Sequence, residues 1–274
     1  MSAPNAVWMV PVRFDATSYV VRVTINGVTS DLTFPATGSL TVGRDYWMSG
    51  DAQTSTESTG TGRADLVAML QATLRTHSQG ASATASLSSS TWLLTCASGG
   101  LATMRILWSH ANTTLDATIF GYENAADSDL LASIVSPHAV LGPMLPGRAI
   151  AEDSKDYQPI VGGVSSALSG LTRTSRLTAG LRHREVVFRY LLESATLSPS
   201  EGADQDEWST VEYAWTYAIS KGWPVRAYDQ ASDVAGGSYR LYRTRSLDYP
   251  IDRDDAPAVW WRARFELVRE VDSR

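Results

Sequence analysis

Four histidines, His77, His110, His138 and His183, are the first candidates for acid–base or metal chemistry in this 274-residue chain. A zinc site or a general base needs imidazoles at helical or strand spacing, beside a second ligand or an orienting carboxylate. No two of these histidines stand four apart, and none lies in an HExxH pattern. His77 at a helix end and His138 in a loop read as structural, and His183 near Glu185 is too thin a pairing for a base. Gly162-Gly163-Val164-Ser165 does not fit the G-x-S-x-G elbow that presents a nucleophilic serine, and no phosphate-cradling P-loop or G-x-G-x-x-G occurs. Cys96 lies alone in an apolar run and reads as a small buried hydrophobe. The residues therefore nominate no catalytic group, no cofactor and no metal, and the chain is expected not to be an enzyme.

Acidic and aromatic clusters offer weaker chemistry. Asp252-Arg253-Asp254-Asp255 lacks the spaced oxygen ligands and turn glycine of a calcium loop, so it reads as a solvated loop, with an ion or partner contact as the alternative. Asp204-Gln205-Asp206-Glu207 fits a helix N-terminus, where the dipole favours negative charge and Asp204 with Glu207 has capping-box spacing. Nine tryptophans and 21 arginines against two lysines (Lys155 and Lys221) supply the residue types enriched where proteins meet proteins. Strand alternation puts Trp260 and Trp261 on opposite faces, leaving one ring for a surface or a partner. Trp8, Trp47, Trp92 and Trp260 also motivate an alternative function, a carbohydrate- or receptor-binding β-module.

Composition narrows the class. A 43% hydrophobic and 19% charged chain folds rather than staying disordered. A net charge of −6 argues against a dedicated nucleic-acid binder. No apolar run reaches 18 residues and no signal-peptide pattern opens the chain, so a soluble protein made in the cytoplasm, with no membrane insertion, is expected.

The elements that would position any site begin with Tyr19 to Leu74. Val20–Ile25 and Val28–Phe34 flank Asn26-Gly27, whose residue types suit the positive φ values of a type I′ hairpin turn. A polar loop, 49–62, precedes a helix with Leu66, Val67, Leu70 and Leu74 on one side. Residues 6–14 read as a first strand that Pro11 confines to an edge or bulge. Ala83–Leu87, Thr91–Ala97 and Met104–Trp108 read as a three-strand meander, and residues 112–122 as a short helical turn ending at Gly121. Prolines 137, 143, 146 and 159 make 137–181 an irregular connector with a strand candidate at Val161–Leu171. Two readings of it stand: an interdomain crossover, or a segment that embraces a neighbouring subunit. Beyond it come strands at 184–192, 224–228, 239–245 and a last one carrying Trp260 to Leu267, with a helix bearing Trp208, Val211, Trp215 and Ile219. The expected organisation is an N-terminal β-rich module (1–136), a connector (137–181) and a C-terminal β-rich module (182–274). The fold class is β-rich α+β, two antiparallel sheets each packed by one helix, sandwich- or barrel-like.

Two stretches resemble virion proteins of tailed bacteriophages. In the first, the helix Leu66–Leu74 and Ser/Thr-rich strands lead to Ile106-Leu107-Trp108-Ser109, then Thr114-Leu115 and Phe120-Gly121. This is similar to a structural module in which a strand of that pattern precedes a short helix closing on Leu/Phe-Gly. In the second, Trp208, Trp215 and Gly222 to Tyr228 precede Tyr239–Leu247 and the closing strand, an order similar to tail-tube and distal-tail domains. The resemblance implies a structural protein of the virion tail, assembled in the host cytoplasm as a homo-oligomeric ring, trimer or hexamer. Its other implied partners are further tail proteins, with DNA only passing through the lumen. The interface residues expected on this reading are Asn26, Gly27, Trp47, Arg148, Tyr157 and Trp260.

Overall fold

The computed structural model describes residues 7–49, 65–88, 92–100, 102–144, 150–158, 161–166, 172–176, 181–192, 214–228, 240–244, 251–253 and 260–269. In chain order the strands are β1 (Val7–Met9), β2 (Tyr19–Ile25), β3 (Val28–Phe34), β4 (Thr84–Leu87), β5 (Leu94–Ala97), β6 (Met104–Ile106), β7 (Ser133–Val135) and β8 (Pro143–Met144). They continue as β9 (Ile150–Gln158), β10 (Val161–Ser166), β11 (Thr172–Arg176), β12 (Leu181–Leu192), β13 (Val225–Tyr228), β14 (Arg240–Thr244), β15 (Ile251–Arg253) and β16 (Trp260–Arg269). One helix, α1, spans Leu66–Arg75, and a further helical turn occupies 214–217. The fold is thus helix mixed with antiparallel sheet, and no barrel closes among the described residues.

The hairpin forms as its residues dictate. Asn26 (φ 51°) and Gly27 (φ 77°) both adopt the left-handed conformation, and Ile25 stands opposite Val28, the geometry of a two-residue turn that follows strand twist. Val21, Val23, Ile25, Leu32 and Phe34 face the core. On the other face, Arg22 pairs with Asp31 at 2.7 Å and the Thr24 and Thr29 hydroxyls meet at 2.8 Å.

Helix α1 starts where the Asp65 carboxylate accepts the N–H groups of Val67 (3.0 Å) and Ala68 (3.2 Å), an N-cap that satisfies two otherwise orphaned donors. Leu66, Val67, Leu70 and Leu74 are all buried. The helix sits between two sheet edges. On one side the Gln71 amide oxygen accepts the Ala85 N–H on β4 at 3.1 Å. On the other, His77 Nε2 donates to the Val28 carbonyl on β3 at 3.1 Å. The backbone N–H of Gln79 donates to His77 Nδ1 at 3.0 Å, which fixes the hydrogen on Nε2 and makes this imidazole a neutral brace.

Sheet pairing departs from the expected meander. β4 and β5 form a hairpin, but β6 leaves it to pair with β2, extending the sheet to the order β3-β2-β6. The place beside β5 goes to β7, a strand the sequence reading missed. Met104 also bridges Leu131, so the segment leading into β7 runs along β6 before it reaches β5. Under these strands lies an aromatic stack. Trp108 packs on Tyr122 with centroids 5.4 Å apart, and Phe120 meets Phe34 edge-on at 6.0 Å. The expected helical turn is a 3-10 turn, Ala117–Phe120, capped by Asp116 and closed by left-handed Gly121.

The largest sheet has eight strands in the order β8-β1-β13-β14-β16-β12-β9, with β15 also on β16. It draws on all three sequence segments: β1 comes from the first, β8 and β9 from the connector, and the rest lie from Leu181 onward. The connector is therefore more regular than its prolines and glycines imply. Its strand candidate at Val161–Leu171 is observed as β10, paired with β11 in a separate two-stranded sheet. Residues 251–253, part of the expected acidic loop, are strand β15, with Asp252 opposite Arg262. The 204–213 half of the expected C-terminal helix lies outside the described residues.

Candidate interaction surface

A seam joins the two ends of the chain on one side of the molecule. The Arg13 guanidinium lies 4.0 Å from the Trp223 ring centroid, and its Nε donates to Asp45 at 2.6 Å. The Arg13 backbone N–H donates to the Tyr217 hydroxyl at 3.1 Å. Tyr217 meets Trp223 edge-on at 5.1 Å, and burial raises its phenol above the usual range. These contacts tie the segment around Arg13 to the turn at 217–223 and fasten the fold.

The hairpin tip is outward. Asn26, Gly27, Val28 and Thr29 are exposed, and Val28 keeps 42% of its surface in water. Asp31 near the middle of β3 is held below the usual carboxylate range, first by the Asn112 amide and then by Arg22. Asn26 and Gly27 therefore stand where a partner can reach them. Trp47 does not. It is 4% exposed, with Arg226 seated 4.0 Å over its ring, because an indole in a chain this size is worth more against apolar neighbours than in water. This corrects its expected place at an interface. Trp92 is likewise 2% exposed, so two of the four rings that suggested a sugar platform are interior. Tyr157 lies on β9 opposite Arg182 and Trp260 on β16 opposite Leu192. Arg148, the 50–62 part of the polar loop, and the side chains of Tyr157, Trp260 and Trp8 lie outside the described residues.

The described histidines do local work. His77 braces α1 to the hairpin, His110 Nδ1 accepts the Asn112 N–H at 3.1 Å, and His138 reaches Glu123 at 3.3 Å on the surface. Among the described residues no group of three or more His, Cys, Asp or Glu side chains is gathered to hold a metal ion. Cys96 is fully enclosed and burial pushes its thiol up to about 12, which keeps it protonated and unreactive at neutral pH.

A second surface was missed from the sequence. Between Ile106 and Gly147 there is no lysine or arginine, while Asp116, Glu123, Asp127 and Asp129 supply four carboxylates, all exposed. Neutral donors hold two of them in place: Ser109 hydroxyl to Asp127 at 2.8 Å, and Asn124 amide to Asp116 at 2.9 Å. Beside them Leu130, Leu131 and Val135 are 47%, 52% and 53% exposed. The readable signal was the missing basic residues rather than any motif. Scattered exposed aliphatics are ordinary; here three fall within six positions of the sequence, next to those carboxylates.

No family model, no curated protein and no solved structure matches this chain.

Proposed function

We propose that this chain is a structural component of a bacteriophage tail, self-assembling into a ring of the tail tube, distal tail or tail tip through which DNA passes. The observation that carries this reading is the eight-stranded antiparallel sheet, which gathers strands from both ends of the chain and ends in the nine-residue edge strand β9. An edge strand of that length, unpaired on its outer side among the described residues, is a hazard for a monomer and a ready seam for an oligomer. Its Glu152, Asp153, Lys155 and Asp156 discourage indiscriminate pairing and leave a specific neighbour to be chosen by charge. The stretch that resembles virion proteins supports the reading locally: β6 leads through Trp108 to the 3-10 turn and left-handed Gly121. On this reading the chain performs no reaction and needs no cofactor, and its net charge of −6 keeps a lumen from gripping phosphates.

The test is the mass of the purified protein across a concentration series, with negative-stain images of the same samples. Rings or short tubes of one diameter are expected. A strict monomer at every concentration would overturn self-assembly by the chain alone.

A further inference from the structure

We infer that the β10–β11 ribbon is a docking arm that seats on the acidic surface around Glu123, Asp127 and Asp129 of a second copy of this chain. The inference rests on the self-assembly proposed above and names the contact that would carry it. β10 and β11 pair only with each other, apart from every other sheet among the described residues. An isolated two-stranded ribbon is marginal in water and needs a further surface to stabilise it.

Charge says which surface. From Tyr157 to Arg184 the chain has no Asp or Glu and four arginines, of which Arg173 and Arg176 lie on β11 of the ribbon and Arg182 and Arg184 on β12. The other residues hold 19 basic against 29 acidic side chains, by subtraction from 23 and 29. Within the ribbon Arg173 holds the register position opposite Ser165 and Arg176 the one opposite Val161. The stretch 106–147 is the converse, with four carboxylates and no Lys or Arg. The only ion pair among those four carboxylates within the described residues is Glu123 with His138. Leu130 and Leu131 beside them offer the apolar area that charge alone does not supply. Complementary charge of this kind sets register and partner choice between copies.

The experiment uses the full chain. Sedimentation velocity at 150 mM salt would compare wild type, the arm reversal Arg173→Glu/Arg176→Glu, the surface reversal Asp127→Arg/Asp129→Arg, and all four together. Each reversal alone is expected to weaken association at least about tenfold, and the combination to recover most of it. Thermal melts of each variant report whether it folds, and the milder Arg173→Gln/Arg176→Gln pair, with a steeper loss at high salt, serves if a reversal does not. Assembly by wild type that neither reversal alters would overturn the arm while leaving the structural role standing. A monomeric wild type would overturn the arm together with self-assembly by the chain alone. Loss of retention on a 30-base-pair duplex by the arm variants, with assembly intact, would overturn the arm's assignment to a second copy in favour of nucleic acid.

Discussion

The Arg226 guanidinium sits 4.0 Å above the ring of Trp47, and the Trp47 carbonyl accepts the N–H of Leu66 at 2.9 Å. One residue thereby joins β13, near the C-terminal end, to the first turn of α1. Trp47→Ala should cost about 3–5 kcal/mol, the range for emptying a buried aromatic position, with the lost cation–π contact included. Urea unfolding would measure it. A loss below about 1 kcal/mol would mean that the ring does not link the two regions.

Gly27 and Gly121 both adopt a positive φ, 77° and 76°, but in different surroundings. A Cβ on Gly27 meets nothing within 4 Å, whereas one on Gly121 falls 2.2 Å from the His138 carbonyl oxygen. Gly27→Ala should cost about 1–2 kcal/mol, the backbone strain alone. Gly121→Ala should cost clearly more, because the loop backbone at His138 must retreat. Equal losses in thermal melts would refute the distinction.

Asp65→Ala removes the acceptor for two N–H groups of α1 and should destabilise by about 1 kcal/mol. Asp65→Asn should recover most of that, since an amide oxygen also caps. Denaturation midpoints of the three proteins decide it.

The Cys96 thiol titrates near 9.0 in an exposed chain, and burial pushes it up to about 12 in the fold. The folded state therefore keeps a proton that the unfolded state releases. This contribution to stability is complete below about pH 9 and is lost as pH climbs toward about 12. Tyr122, raised mainly by its own burial, acts in the same direction. Native protein at pH 8.5 should resist alkylation for hours, and urea should expose one fast thiol. Rapid native labelling would show that the pocket opens.

What the sequence disclosed was whatever short-range chemistry decides. Asn26-Gly27 announced its turn, the Leu66–Leu74 spacing its helix, and Phe120-Gly121 its cap, because each outcome depends on residues a few positions apart. The pairing of β6 with β2 instead of β5 depends on contacts about eighty residues apart (Thr24 with Arg105), and nothing in Met104-Arg105-Ile106 states a preference. β10 was half seen because Gly162-Gly163 dilutes the strand signal. Trp47 was misplaced because a tryptophan suits a core as well as an interface, and only the fold brings Arg226 over it.

Strand β1 pairs Val7 with Tyr228, and that pairing has a consequence in time. On a ribosome the hairpin, α1 and the strands up to β7 emerge and can close while β13 is still unmade. β1 can meet β8 once Met144 is made, but its other edge must wait for β13, since a high sequence separation delays closure. A product that stops short of Val225 therefore keeps β1 paired on one side only, with its outer edge open to another strand.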